Sequence, residues 1–180
     1  LGFTRLRLRT TPRILSSAFP DPTFSGDALT ETGLRAHAVI DQLDYATLRR
    51  LPAVEVTKTL ECISNMVGKP ELAPFGAELI STARWKGVRL MDLLALTGGP
   101  KSSAKWLAVL SADEYTSALP IEVATDPATL LVYEMNGEVL PREHGYPARL
   151  LVPNRYGMKN PKWVVGLRPT SREFLDWYGQ

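Results

Sequence analysis

A predicted β-hairpin at residues 130–140 constrains the fold more than any other part of the sequence. Residues 130–135 are mostly apolar and predict a strand, and residues 138–140 supply a return strand. Between them stand Asn136 and Gly137, the pair that best tolerates the positive φ values of a type I′ turn. This turn joins adjacent antiparallel strands, so the chain is expected to contain an antiparallel pairing here.

Two short helices are predicted outside the hairpin. The first covers residues 44–51, with Asp44 as its N-cap and Pro52 ending it. The second covers residues 90–96, followed by Gly98, which suits a left-handed C-terminal position. Both helices are too short to dominate the fold.

Further strands are predicted on both sides of the hairpin. Residues 54–60 alternate apolar and polar side chains and are rich in β-branched types. Other strand-like runs lie at residues 105–110, 148–152 and 163–167. Because strands and helices do not alternate as βαβ units, we expect an α+β fold with a mainly antiparallel or mixed sheet.

The length and composition predict one main domain. With 180 residues and 44% hydrophobic side chains, the chain is long enough for one well-buried core. Residues 1–35 lack steady periodicity and predict an irregular arm packed on a domain formed by residues 36–180. No run reaches the about 20 apolar residues that span a bilayer. Because the chain starts with Leu1, we expect a processed or shortened product, whose membrane association would depend on segments or subunits absent here.

The charge is nearly balanced, but its basic residues form two groups. A net charge of +2 is too small to predict nucleic-acid binding. Two local basic zones nevertheless suit an anionic ligand. The first contains Arg5, Arg7, Arg9 and Arg13, and the second contains Arg142, Arg149, Arg155, Lys159 and Lys162.

The only cysteine, Cys62, follows the predicted strand at residues 54–60. A single thiol can form no internal disulfide and no multi-cysteine metal site. One cysteine and two histidines also match no standard zinc pattern. The residues alone leave open a buried structural thiol, or a Cys-His nucleophilic pair with His144. The chain has neither a P-loop nor a glycine-rich dinucleotide fingerprint.

Four segments in order carry a family resemblance. They are residues 59–65 (TLECISN), 83–94 (ARWKGVRLMDLL), 133–150 (YEMNGEVLPREHGYPARL) and 152–163 (VPNRYGMKNPKW). Their order and spacing resemble the molybdopterin-binding domain of the sulfite oxidase family, over about residue 36 to the end. Within that family the chain is similar to the short bacterial branch, which includes periplasmic protein-methionine-sulfoxide reductases.

This resemblance implies a mononuclear molybdenum-molybdopterin cofactor, a pyranopterin without nucleotide, with Cys62 as the one protein ligand of the metal. A soft thiolate suits such a metal. The implied reaction is a two-electron oxygen-atom transfer, on sulfite or a sulfoxide. It further implies a separate redox partner, either a haem protein or a membrane subunit, and an extracytoplasmic or periplasmic location.

The resemblance also implies the site residues. Cys62, Tyr115 and Arg5 match catalytic positions, although Asn160 and Pro161 depart from the residue types expected at theirs. The implied cofactor contacts are Phe3, Cys62, Asn65, Ser111, His144, Arg149, Asn160, Pro161 and Lys162. Two alternatives remain at this point: a binding or scaffold domain without catalysis, and a hydrolase that uses Cys62 and His144.

Overall fold

Two mainly antiparallel sheets form the part of the chain that the structure describes. The computed structural model describes residues 6–9, 43–65, 78–173 and 176, with the backbone alone for residues 6–9. Its strands, in chain order, are β1 (Leu6–Arg9), β2 (Leu43–Asp44), β3 (Val54–Glu61), β4 (Ile80–Arg89), β5 (Trp106–Ser111), β6 (Thr116–Pro120), β7 (Leu130–Met135), β8 (Glu138–Val139), β9 (Arg149–Leu151) and β10 (Val164–Thr170).

The first sheet has the strand order β2-β1-β10-β5-β6, and the second has the order β3-β4-β7-β8, with β9 also paired to β7. The pairing of β1 with β2 is parallel, and the other pairings of the two sheets are antiparallel. The predicted mainly antiparallel α+β class is therefore confirmed. The short helices are α1 (Tyr45–Arg50), α2 (Leu90–Ala95) and α3 (Ile121–Ala124), with 3-10 turns at Arg142–His144 and Gly157–Lys159. No helix in these described ranges is long and apolar enough to cross a membrane.

The hairpin turn has the predicted backbone. Asn136 has a φ of 55° and Gly137 a φ of 86°, so both central residues lie in the left-handed region. The register places Met135 opposite Glu138 and Glu134 opposite Val139. The return strand is one residue shorter than predicted.

Both predicted helices are present. The Asp44 carboxylate accepts a hydrogen bond from the Thr47 N–H at 2.6 Å, which caps α1 as expected. Gly98 has a φ of 87° just after α2, where the sequence predicts the left-handed position. The strands predicted around β3, β5, β7, β9 and β10 are also present, with bounds that differ by a few residues.

Several parts of the fold differ from the sequence prediction, which also gave no strand at β2 or β6 and no helix at α3. Leu6–Arg9 form a strand on β10, so at least these four residues of the predicted arm are not irregular. Their Leu-Arg alternation is too short to indicate a strand without the pairing edge that β10 offers. The other residues of the arm, and the predicted boundary at residue 35, lie outside the described residues.

The central strand β4 was not predicted at all. It lies between β3 and β7, and the register of its pairing with β7 shifts between Lys86 and Gly87. This irregularity, at a glycine, interrupts the alternation that sequence patterns detect.

The hydrophobic core has two parts, one on each face of the second sheet. The larger lies between the sheets, where Leu131 and Tyr133 of β7 pack in one cluster with Leu107 and Val109 of β5. The smaller lies on the opposite face of β7. It contains Ala83, Trp85, Leu130, Val132, Leu140 and Leu151, with Val54, Val56 and Leu60 of β3 packed against it. Successive side chains of β7 point to opposite faces of the sheet, so this strand contributes residues to both clusters.

Lys58 is a cation on the largely apolar inner side of β3. Val54, Val56, Lys58 and Leu60 are less exposed than the residues that alternate with them along the strand. The Lys58 Nζ is buried and has no hydrogen-bond partner among the described residues. Burial lowers the pKa of Lys58 to about 8.

We predict that Gly87→Ala will strongly destabilise the protein. A Cβ at Gly87 would lie 2.2 Å from the Leu131 carbonyl oxygen, so β4 and β7 would have to separate. We expect the free energy of unfolding in urea to fall by about 3 kcal/mol or more. The matched control is Gly98→Ala, because nothing lies within 4 Å of its added Cβ. The control should lose only about 1 kcal/mol for its positive φ. Equal losses in the two variants would contradict the assigned packing.

We also predict a pH dependence from Lys58. Its pKa is lower in the folded state than the usual 10.5, so the folded protein binds this proton more weakly than the unfolded chain does. The resulting decrease in the free energy of unfolding is fully present below about pH 8 and disappears as the pH rises toward 10.5. The free energy of unfolding should therefore rise across this window relative to Lys58→Met, as followed by urea denaturation. Parallel pH profiles of the two proteins would refute the burial of this ammonium.

Candidate active site

A cavity of about 280 Å³ lies where β9 meets the loops around it. We call it the Arg149 cavity. Its lining residues are Asp113, Tyr115, Arg149, Gly157, Met158, Asn160, Pro161, Lys162 and Trp163. Five positions that the resemblance assigns to the site therefore line one space: Tyr115, Arg149, Asn160, Pro161 and Lys162.

Arg149 is the buried cation of this cavity. Only 7% of the residue is exposed. Its Nη1 donates to the His144 carbonyl at 3.2 Å, and its Nη2 donates to the Asn160 carbonyl at 3.0 Å. The guanidinium also lies over the Trp85 ring, 5.3 Å from the centroid. The position and orientation of the side chain are thereby fixed.

The charge of Arg149 is not matched within the described part of the chain. No carboxylate there forms an ion pair with it, and its buried Nε has no hydrogen-bond partner there. Burial lowers the pKa of Arg149 to about 10, which still leaves the group charged at neutral pH. A buried cation of this kind is stabilised by an anion that enters the cavity.

Lys162 adds a second positive charge to the same wall. Its Nζ donates to the Glu143 carbonyl at 3.0 Å and lies 4.3 Å from the centroid of the Trp163 ring. Burial lowers the pKa of Lys162, and repulsion from Arg149 lowers it further. The two cations are therefore close enough to affect each other, and one anion can interact with both.

Gly145 permits this close approach, and the sequence reasoning missed it. Its φ is 110°, and an added Cβ would lie 2.9 Å from the Lys162 Cβ and 3.1 Å from the Arg149 Cβ. Any side chain here would push the two cations apart. A glycine directly after a predicted site histidine was the available signal.

Tyr115 and Ser111 stand at the end of the β5–β6 hairpin. The Tyr115 hydroxyl donates to the Met158 carbonyl at 2.6 Å, so the phenol is tied to the loop on the other side of the cavity. Ser111 is fully buried, and its Oγ has no hydrogen-bond partner among the described residues. Ser111 does not line the cavity itself, although it was predicted as a cofactor contact.

Asn160 organises the loop between β9 and β10. Its side chain accepts from the Val152 N–H at 2.6 Å and donates to the carbonyls of Arg155 and Tyr156 at 3.2 and 2.8 Å. The residue is only 1% exposed. Its side chain therefore fixes the loop, while its carbonyl holds Arg149. The Pro161 carbonyl accepts from the Leu150 N–H at 2.9 Å.

Cys62 lies one residue past the end of β3, as predicted, and its thiol is exposed. The Cys62 N–H donates to the Leu79 carbonyl, and its own carbonyl accepts from the Asn65 N–H, both at 2.9 Å. The Asn65 side chain donates to a Glu61 carboxylate oxygen at 3.0 Å and accepts from the Leu79 N–H at 3.2 Å. Asn65 therefore fixes the turn that presents the thiol.

The Cys62 turn lies beside a loop of the Arg149 cavity. A Cβ at Gly157 would lie 3.5 Å from the Glu61 carbonyl oxygen, in ordinary contact with it. Cys62 itself is not among the residues that line the cavity. The structure thus brings the end of β3 against one loop of the cavity, with the exposed thiol on the next residue.

The other predicted positions are placed as follows. His144 is half-buried, its N–H donates to the Pro141 carbonyl, and its carbonyl accepts from Arg149. Within the described ranges no hydrogen bond joins the imidazole to the Cys62 thiol, so the pair that a Cys-His hydrolase needs is not formed there. Phe3 and Arg5 lie outside the described residues, and their roles stay predictions.

Comparisons with known proteins show which family the chain resembles. The sequence model of the family described as "Oxidoreductase molybdopterin binding domain" matches residues 31–178. The mitochondrial sulfite oxidase of Homo sapiens is 36% identical over an aligned length of 152, and the match covers 75% of this chain and 28% of that protein. The sulfite oxidase of Arabidopsis thaliana is 32% identical over 155 residues, 74% of this chain and 39% of that protein.

Two further similarities extend the comparison. The NADH nitrate reductase of Ulva prolifera is 29% identical over 180 residues, 89% of this chain and 21% of that protein. Among solved structures, the sulfane dehydrogenase SoxCD from Paracoccus pantotrophus matches with a TM-score of 0.65 and 31% identity, covering 72% of this chain and 35% of that one. The predicted sulfite-oxidase-like fold is thereby confirmed.

The chain spans only about a fifth to two fifths of the length of these curated relatives. The family match, in contrast, covers most of the chain. The cationic cavity, the adjoining cysteine and these similarities lead to one conclusion: the chain belongs to the sulfite oxidase family of molybdopterin-binding oxidoreductase domains.

Proposed function

We propose that this chain is the catalytic domain of a molybdenum-dependent oxidoreductase that transfers an oxygen atom at sulfur in a two-electron reaction. The observation that carries the proposal is the buried charge of Arg149, which no carboxylate of the described residues pairs, in a cavity that Lys162 also lines. One loop of this cavity, at Gly157, lies against the strand end that precedes Cys62. Family membership supplies the cofactor class, and the relatives named as sulfite oxidases support a sulfur substrate.

The residues of the site fit the cofactor. Molybdopterin carries a phosphate, and Arg149 and Lys162 give a cationic wall with an unused Nε–H donor for such a group. The exposed Cys62 thiol, as a thiolate, is a soft ligand for molybdenum. When bound, the cofactor supplies two-electron redox chemistry and oxygen exchange at the metal.

The chain's own part of the chemistry is binding and orientation. Arg149 is held by two carbonyls and by Trp85 before any anion arrives, so little side-chain freedom is lost on binding. Tyr115 is fixed by the Met158 carbonyl, with its oxygen at the cavity wall. We infer that this phenol orients the substrate through a bridging water, which donates one hydrogen bond to the phenol oxygen and another to the substrate.

We propose sulfite as the substrate, because the relatives that support the family assignment are named as sulfite oxidases. Oxidation of sulfite, with water as the source of the added oxygen atom, gives sulfate, two protons and two electrons for an acceptor. We propose that a separate haem protein or membrane subunit accepts the electrons, and that the reaction takes place outside the cytoplasm.

We predict that Cys62→Ser will abolish metal retention while the protein stays folded. The side chain is exposed, so its loss removes little packing, whereas a serine hydroxyl is a poor ligand for a metal that prefers thiolate. Elemental analysis for molybdenum, and fluorescence of the oxidised pterin released by acid, should show metal lost and pterin at least partly retained.

The control for this experiment is Ser64→Ala, an exposed position in the same turn. It should retain wild-type molybdenum. Full metal occupancy and full sulfite oxidation in Cys62→Ser would refute the assignment of Cys62 as the metal ligand. Absence of both metal and pterin from the wild-type protein, made in a host that supplies the cofactor, would favour the scaffold alternative.

We further predict that Arg149→Lys will lower pterin retention about tenfold. The planar guanidinium bonds two carbonyls and still has an Nε–H for an anion, and an ammonium group cannot reproduce this arrangement. The measurement is the pterin-to-protein ratio after gel filtration. Arg155→Lys is the matched control, since Arg155 is exposed and its Nη1 bonds only the neighbouring Asn154 carbonyl. A normal ratio in Arg149→Lys would show that the guanidinium does not hold the cofactor.

A further inference from the structure

A second cavity lies on the side of the second sheet that faces away from the first. Its volume is about 480 Å³, within the range of small-molecule sites. Most of its wall is apolar. The lining residues are Val54, Val56, Thr57, Lys58, Arg89, Pro127, Ala128, Leu130, Pro153 and Asn154. None of them lines the Arg149 cavity, so the two spaces are separate.

Lys58 is the polar group that this cavity leaves without a partner. Its Nζ is buried, with neither a hydrogen bond nor an ion pair among the described residues. Such a position is costly for an ammonium, and burial lowers the pKa of Lys58 to about 8 accordingly. The flexible lysine stem lets the amine turn toward an anion in the cavity.

The other charges at the cavity also favour an anion. Arg89 contributes a second cation to the wall. Asp126 is the acidic group that raises the pKa of Lys58, but its carboxylate accepts the Ala128 N–H at 2.7 Å and forms no ion pair with the lysine. The wall therefore combines an apolar surface with two cations.

We propose that this cavity binds a small carboxylate with an unbranched apolar tail, whose head pairs with Lys58 and whose tail lies against Val54, Val56 and Leu130. The carboxylate removes the cost of the unpaired ammonium, and the tail covers apolar wall that water otherwise contacts. The site is independent of the proposed cofactor and of its reaction.

The test is calorimetric titration of the purified holoprotein with octanoate, with octanol as the neutral isostere. We expect saturable binding of one octanoate per chain at concentrations up to about 5 mM, and octanol at least about tenfold weaker. Lys58→Met keeps an apolar side chain of similar length and should weaken octanoate about tenfold or more. Lys101→Met, an exposed lysine outside both cavities, should bind as wild type.

A second variant locates the ligand. Ala128 is exposed on the cavity wall, so Ala128→Trp should fill the space and abolish octanoate binding. Molybdenum and pterin contents should be unchanged in both variants, which separates this inference from the proposed function. Absence of a titration signal, equal binding of octanol, or unchanged affinity in Lys58→Met or Ala128→Trp would overturn the proposal.

Discussion

The buried guanidinium of Arg149 is the interaction around which the candidate site is organised. It lies at the start of β9 and joins three other parts of the chain: the His144 carbonyl, the Asn160 carbonyl and the Trp85 ring of β4. Each contact uses a different part of the planar group, and together they leave Nε directed to no described acceptor. The site is therefore built around a charge that the described protein residues orient but do not neutralise.

The surrounding residues serve this charge in different ways. Asn160 holds the loop in shape with three side-chain hydrogen bonds, so that its carbonyl meets Arg149. Gly145 has no side chain that would occupy the space between Lys162 and Arg149, so these two residues can lie close together. Asp176 accepts from the Ala118 N–H and from the Lys159 amine, which ties the same loop to β6. Fixing the loop in this way also fixes the Met158 carbonyl, the acceptor of the Tyr115 hydroxyl.

Local sequence signals predicted those features whose cause is local. The Asn136-Gly137 turn, the Asp44 cap and the strand before Cys62 depend on residues next to one another, and the structure has all three. The strand at Leu6–Arg9 depends on the edge of β10, and β4 contains a register shift at Gly87, so neither was visible in a local pattern.

The same distinction applies to the site residues. The resemblance named Arg149 and Lys162, but it could not show that Gly145 brings them together, because this contact depends on a backbone conformation. It assigned the backbone at Asn160 a cofactor contact, which stays a prediction, but it did not indicate that the side chain holds the loop. Neither charge nor periodicity distinguishes a residue that contacts a ligand from one that shapes the loop beside it.

Arg149 and Lys58 show two ways in which a fold can retain a buried cation. Arg149 has two carbonyl partners and an aromatic face, so its charge is partly solvated by the protein and its direction is fixed. Lys58 has none of these among the described residues, and its pKa falls nearer to neutrality. The first arrangement is pre-organised for an anion at a defined point, which suits a cofactor that must be held in one orientation. The second leaves the cation without a partner among the described residues, which suits a ligand held mainly by its apolar surface and recognised by charge.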